Sequence, residues 1–117
     1  MSIQNALASI AVKELDKTVP WYEALLQARA SRPMPEVAEW KFEGGGGLQV
    51  YALPERAGNC SCTLVIDDFK KQLQHLEQLG INTSQKSESS KIKVVMITDP
   101  DGNHIAMAQA LDASLLK

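Results

Sequence analysis

The sequence predicts an α+β fold of two tandem modules, each ordered strand, helix, strand, strand, strand, which together curve a mixed sheet around a cavity. Three observations carry this. First, the apolar spacing changes from a period of two to about 3.6 at Val12–Leu15 and again at Ile66–Phe69. Second, the two changes share one register at an offset of 54 residues, which sets Ile10 on Leu64, Val12 on Ile66, Leu15 on Phe69, Val19 on Leu73, Tyr22 on Leu76 and Leu25 on Leu79. Third, Asp99-Pro100-Asp101-Gly102-Asn103 between the apolar runs Val94–Ile97 and Ile105–Ala108 has the residues of a tight turn, and so defines the last two strands as a hairpin.

The first strand spans Ala6 to Val12, with Ala8, Ile10 and Val12 on one face and Leu7, Ser9 and Ala11 on the other. A helix follows to about Ala28, its stripe made by Leu15, Val19, Tyr22, Leu25 and Leu26; Asp16 or Thr18 is expected to cap it, with Pro20 in the first turn. Ser31 to Pro35, broken by Pro33 and Pro35, is expected to be irregular or a poor strand. Val37 to Glu43 is a strand with Trp40 and Phe42 on one face, Gly44 to Gly47 its turn, and Leu48 to Leu53 the returning strand. The glycine run sits between strands, without the helix start and Lys-Ser/Thr of a phosphate loop. Pro54 to Asn59 links the modules, about 4–54 and 60–110 of a single domain, 1–117.

The second module opens with a strand alternating Cys62, Leu64 and Ile66 against Ser61, Thr63 and Val65. Its helix carries Phe69, Leu73, Leu76 and Leu79 and stops at Gly80, with His75 off the stripe and expected in solvent. Ile81 to Ser84 is expected as a short edge strand, Gln85 to Ser90 as a mobile polar loop, Lys91 to Thr98 and Asn103 to Gln109 as the closing strands, and Asp112 to Lys117 as a helical turn or a frayed tail. Asp99 and Asp101 are turn formers rather than catalytic carboxylates. Cys60 and Cys62 are small buried thiols on one strand face, too strained for a disulfide and too few for zinc.

A length of 117 residues suits one core, and a net charge of −2 argues against a nucleic-acid surface or a polybasic membrane patch. No apolar run spans a bilayer and no secretion signal opens the chain, so a cytoplasmic location is expected and the sequons at Asn59 and Asn82 carry no meaning.

Together the first helix entry Val12-Lys13-Glu14-Leu15-Asp16-Lys17-Thr18 with Trp21-Tyr22, the second entry Ile66-Asp67-Asp68-Phe69, and the hairpin Asp99-Pro100-Asp101-Gly102-Asn103-His104-Ile105 resemble the vicinal-oxygen-chelate superfamily. That group holds glyoxalase I, bleomycin-resistance and fosfomycin-resistance proteins and extradiol dioxygenases, and the resemblance covers nearly the whole chain. It implies a glyoxalase/bleomycin-resistance-like fold and a homodimer in which modules of two subunits complete a cavity. In metal-dependent relatives, ligands sit on the first and fourth strands of each module, positions held here by Leu7, Gln49, Ser61 and Ala106. With no imidazole or carboxylate among them, no metal and no resident cofactor are expected.

What remains is an inventory for a concave, largely apolar pocket: Ser9, Gln49, Tyr51, Ser61 and Thr63 on the strand faces, Trp40 and Phe42 as an aromatic wall, and His104 near the mouth. The leading expectation is metal-free binding of a small, largely apolar organic molecule between modules. The alternatives are a lyase or isomerase with a noncanonical metal or acid-base site using Gln49, Tyr51 and His104, and a structural or regulatory partner whose cavity is filled by Leu7, Tyr51 and Trp40. The partners expected are a small organic molecule and a second copy, with neither nucleic acid nor membrane.

Overall fold

The structure is a computed structural model that describes residues 2–111, so the expectation for Asp112 to Lys117 lies outside the described residues. The first module comprises β1 (Leu7–Val12), α1 (Leu15–Leu26), β2 (Ser31–Met34), β3 (Val37–Lys41) and β4 (Gly47–Ala52). After one 3-10 turn at Pro54–Arg56, the second comprises β5 (Ser61–Val65), α2 (Phe69–Gln78), β6 (Lys86–Glu88), β7 (Ile92–Thr98) and β8 (His104–Ala110). Each module makes its own four-stranded mixed sheet, in orders β1-β4-β3-β2 and β5-β8-β7-β6, with the first strand parallel to the fourth and the other pairs antiparallel.

Periodicity decides which face each helix covers. Ile10 and Val12 of β1, Ala38 and Trp40 of β3, and Leu48 and Val50 of β4 are buried with Leu15, Val19, Tyr22 and Leu25 of α1. Leu64, Val95, Ile97, Ile105 and Met107 are buried with Phe69 and Leu76 of α2 in the same way, and one apolar core runs through both modules. Each sheet is therefore roofed on one side and bare on the other.

Several local expectations change. Glu14, not Asp16 or Thr18, takes the position before α1 and no side chain caps it; the Thr18 hydroxyl donates to the Glu14 carbonyl instead, at 3.1 Å. Because the helix starts at Leu15, Pro20 falls in its second turn, where its missing N–H leaves the carbonyl of exposed Asp16 to solvent. Ser31–Met34, expected to be irregular or a poor strand, is a short exposed strand that pairs with β3 through a register shift. The edge strand expected at Ile81–Ser84 forms instead at Lys86–Glu88, inside the stretch expected to be a mobile loop. All three β6 residues are exposed, so no apolar alternation marks them in the sequence. Leu79, expected on the α2 stripe, follows the helix end and is exposed.

The modules meet where β1 and β5 lie alongside each other without sharing a sheet. At one end of this seam Asn103, fully buried, closes the gap. Its Nδ2 donates to the Ala11 carbonyl (2.9 Å) and to Asp99 Oδ2 (2.8 Å), and its Oδ1 accepts from Gly58 N (2.9 Å) and Cys60 N (3.0 Å). Asp99 is also buried and accepts a 2.6 Å bond from the Tyr22 hydroxyl, so the turn grips α1 as well as β1. His75, expected in solvent, ties the helices together: its Nε2 lies 2.9 Å from the Ala24 carbonyl and its Nδ1 lies 2.9 Å from Gln27 Nε2.

Candidate functional site

The bare faces are built from the odd-numbered positions of β1, β3 and β4 and their counterparts in the second sheet. In the first sheet, register sets Ser9 beside Gln49 and Gln49 beside Glu39; Ala11, Tyr51 and Val37 form the next row, and Leu7, Gly47 and Lys41 the row before. The Ser9 hydroxyl donates to Gln49 Oε1 at 3.1 Å. That bond leaves the Gln49 amide N–H groups and the Ser9 lone pairs without a side-chain partner among the described residues, and Tyr51, which lines the same hollow, carries a hydroxyl that can donate or accept. A shallow hollow of ≈ 380 Å³ lies here, lined by Ser9, Glu36, Val37, Gln49, Tyr51 and Ala52.

The corresponding rows of the second sheet are Ser61 with His104 and Thr98, Thr63 with Ala106 and Met96, and Val65 with Ala108 and Val94. This face is mostly apolar, with Val65 61% exposed in the single chain.

The positions that the resemblance gives to metal ligands, Leu7, Gln49, Ser61 and Ala106, all fall on these faces. The donors do not fit a divalent ion. Leu7 and Ala106 have none, Gln49 Oε1 already receives the Ser9 hydroxyl, and Ser61 offers only a neutral oxygen. Among the described residues, no three His, Cys, Asp or Glu side chains are grouped to hold a metal. Nor is Ser9 activated as a nucleophile, because its partner is an amide carbonyl, which is no base at neutral pH.

Of the residues expected to bind ligand, Ser9, Gln49 and Tyr51 come together at the hollow, while Ser61, Thr63 and His104 lie on the other sheet. Trp40 is placed elsewhere. It is 4% exposed, packs against Tyr22 with ring centroids 6.0 Å apart, and donates from Nε1 to the Ala28 carbonyl at 3.0 Å. Core packing therefore claims the aromatic wall, and the filled-cavity arrangement of Leu7, Tyr51 and Trp40 does not form. Phe42 shares Trp40's parity and lies on the helix side, at a separate cavity along the seam that Thr63 also lines. Sequence reasoning missed Glu36 and Glu39 at the open face. For Glu39 the signal was available, since the alternation that turns Trp40 toward α1 must turn Val37, Glu39 and Lys41 away from it; Glu36 precedes the strand and carries no such mark.

Cys62 lies beside the Tyr22–Asp99 pair. Burial, helped by the Asp99 carboxylate and Cys60, pushes its thiol from 9.0 up to about 11, so it is no reactive thiolate near neutral pH. Burial likewise raises the Tyr22 hydroxyl far above its usual 10.0, aided by its bond to Asp99.

Two βαβββ sheets, each roofed by one helix and open on the other face, define the glyoxalase/bleomycin-resistance class of fold. A glyoxalase/bleomycin resistance protein from Catenulispora acidiphila superposes with a TM-score of 0.82 at 28% identity, over 92% of this chain and 99% of that one. TnmS3, an antibiotic binding protein from Streptomyces sp. CB03234, gives 0.79 at 21% identity over 94% and 98%, and a glyoxalase/bleomycin resistance protein from the same organism gives 0.74 at 21% over 89% and 98%. No protein-family profile and no curated protein matches the sequence. The chain has the glyoxalase/bleomycin-resistance fold, consistent with the vicinal-oxygen-chelate superfamily. No helix among the described residues is long and apolar enough to cross a membrane.

Proposed function

We propose that the chain binds a small, largely apolar organic molecule, without a metal ion, at the open face of its first sheet, and that a second copy of the chain closes the site. The observation that carries this reading is the Ser9–Gln49 pair with Tyr51 around a ≈ 380 Å³ hollow whose donors suit a ligand carbonyl or hydroxyl. That volume falls at the small end of ligand sites, roughly 300–1,000 Å³. An antibiotic binding protein with the same fold supports the ligand class. Two bare sheet faces on a molecule only 24 Å thick and 42 Å broad support a symmetric partner that covers them.

The test is a calorimetric titration with a panel of aromatic antibiotics, before and after dialysis against EDTA, on the wild type and on the double variant Gln49→Ala with Tyr51→Ala. A ligand should bind regardless of EDTA, and the double variant should lose about tenfold or more in affinity while still folding. Binding that survives both substitutions, or that requires a divalent ion, would sink the proposal.

A further inference from the structure

The two hairpins that close the modules are built alike. Asp99 N donates to the Asn103 carbonyl (2.9 Å) and Gly102 N to the Asp99 carbonyl (3.0 Å), while Phe42 N donates to the Gly46 carbonyl (3.2 Å) and Gly45 N to the Phe42 carbonyl (3.1 Å). Phe42 therefore occupies the position of Asp99, and Gly46 the position of Asn103. The 54-residue offset likewise sets Ala6 against Cys60 and Ala11 against Val65. At the closed end of the seam the Asn103 carboxamide spans from Cys60 N to the Ala11 carbonyl. At the other end Gly46, at φ 73°, has no side chain with which to span from Ala6 to Val65. The gap stays open as a cavity of ≈ 650 Å³ beneath the last turn of α1, lined by Ala6, Ala8, Phe42, Thr63 and Val65 among others.

We propose that this seam cavity is a second ligand site, which takes an uncharged molecule with an aromatic or aliphatic body and one hydrogen-bond donor. Among the described residues no charged side chain lines the cavity, so an ionised ligand would lose its hydration without a compensating partner. The polar groups present include the amides of Gln27 and Gln72. Gln27 Nε2 is held by the His75 ring at 2.9 Å, and Gln72 Nε2 rests 3.2 Å from Met107 Sδ. One N–H of each amide is engaged, and neither amide oxygen has a partner among the described residues, so both oxygens can accept from a ligand N–H or O–H. The cavity's volume is ample for two fused or linked rings, being mid-range for small-molecule sites of roughly 300–1,000 Å³. It is a different place from the hollow on the open face of the first sheet, with which it shares no lining residue.

N-phenyl-1-naphthylamine, an uncharged two-part aromatic with one N–H, is the probe. Its fluorescence should rise saturably with the wild-type protein, and Ala8→Leu, which adds three carbons to the cavity wall, should weaken binding about tenfold or more. Glu77→Ala, exposed on α2 and lining neither cavity, should leave the affinity unchanged, and because Gln27 and Gln72 line this cavity and not the open-face hollow, their signals separate failure here from failure there. In the wild type, the side-chain amide signals of Gln27 and Gln72 should shift in nitrogen-15 NMR spectra as the probe is added, which decides the matter even if Ala8→Leu does not fold. No saturable binding, unmoved amide signals, equal affinity in folded Ala8→Leu, or loss of binding in Glu77→Ala would each overturn the proposal.

Discussion

The carboxamide of Asn103 fills every hydrogen-bonding position it has, with two donated and two accepted bonds, and Asp99 beside it accepts from Tyr22, Asn103 and the Asp101 and Asn103 backbone. Asn103→Ala should therefore cost about 2–4 kcal/mol in urea unfolding, since it strands several buried partners at once. Gly58 belongs to the same cluster: it has φ 90°, and an added Cβ would come within 2.7 Å of the Asp101 carbonyl oxygen, so Gly58→Ala should also destabilise. Tyr22→Phe should cost about 1.5–3 kcal/mol, the range for a bond to a charged group. The pH dependence has a defined sign. Cys62 and Tyr22 both hold their protons more tightly folded than unfolded, so their contribution is complete below pH 9 and declines as pH rises, for Cys62 from 9.0 to about 11 and for Tyr22 from 10.0 upward. Stability measured by urea titration should fall on the alkaline side, and Tyr22→Phe should flatten the part of that fall above pH 10.

Helix-to-helix contact depends on a residue that shows no apolar periodicity. His75 reaches from α2 to the end of α1, so His75→Ala should lower stability by about 1–2 kcal/mol with the secondary structure retained, as read by urea unfolding followed by circular dichroism. The sequence showed both helices, six of the eight strands and the 54-residue repeat, because burial on one face imprints a period on the chain. It left Ser31–Pro35 as irregular or a poor strand, put the second edge strand at Ile81–Ser84 rather than Lys86–Glu88, and did not show the role of His75. The two edge strands are exposed throughout, so no buried face imprints an alternation on their side chains. The glycine run from Gly44 was legible as a turn, but its larger effect was not. In three dimensions Gly46 occupies the hairpin position of Asn103 without the side chain that closes the other end of the seam.

At the scale of the whole molecule, the candidate site was half legible. Alternation put Ser9, Gln49 and Tyr51 on one face, and register then brought them to one hollow. The same alternation, followed one strand further, assigns Trp40 to the core and Glu39 to the face. The two bare sheets leave their faces uncovered in a single chain, and with the donor-poor positions Leu7, Gln49, Ser61 and Ala106 they define the central claim: a metal-free binder of small organic molecules, completed by a second copy. The most direct test is native mass spectrometry of freshly purified protein with metal analysis of the same sample. The expected result is a dimer that contains no stoichiometric metal and carries or takes up an organic mass. A monomer that takes up nothing, or a chain holding one equivalent of a divalent ion, would contradict it.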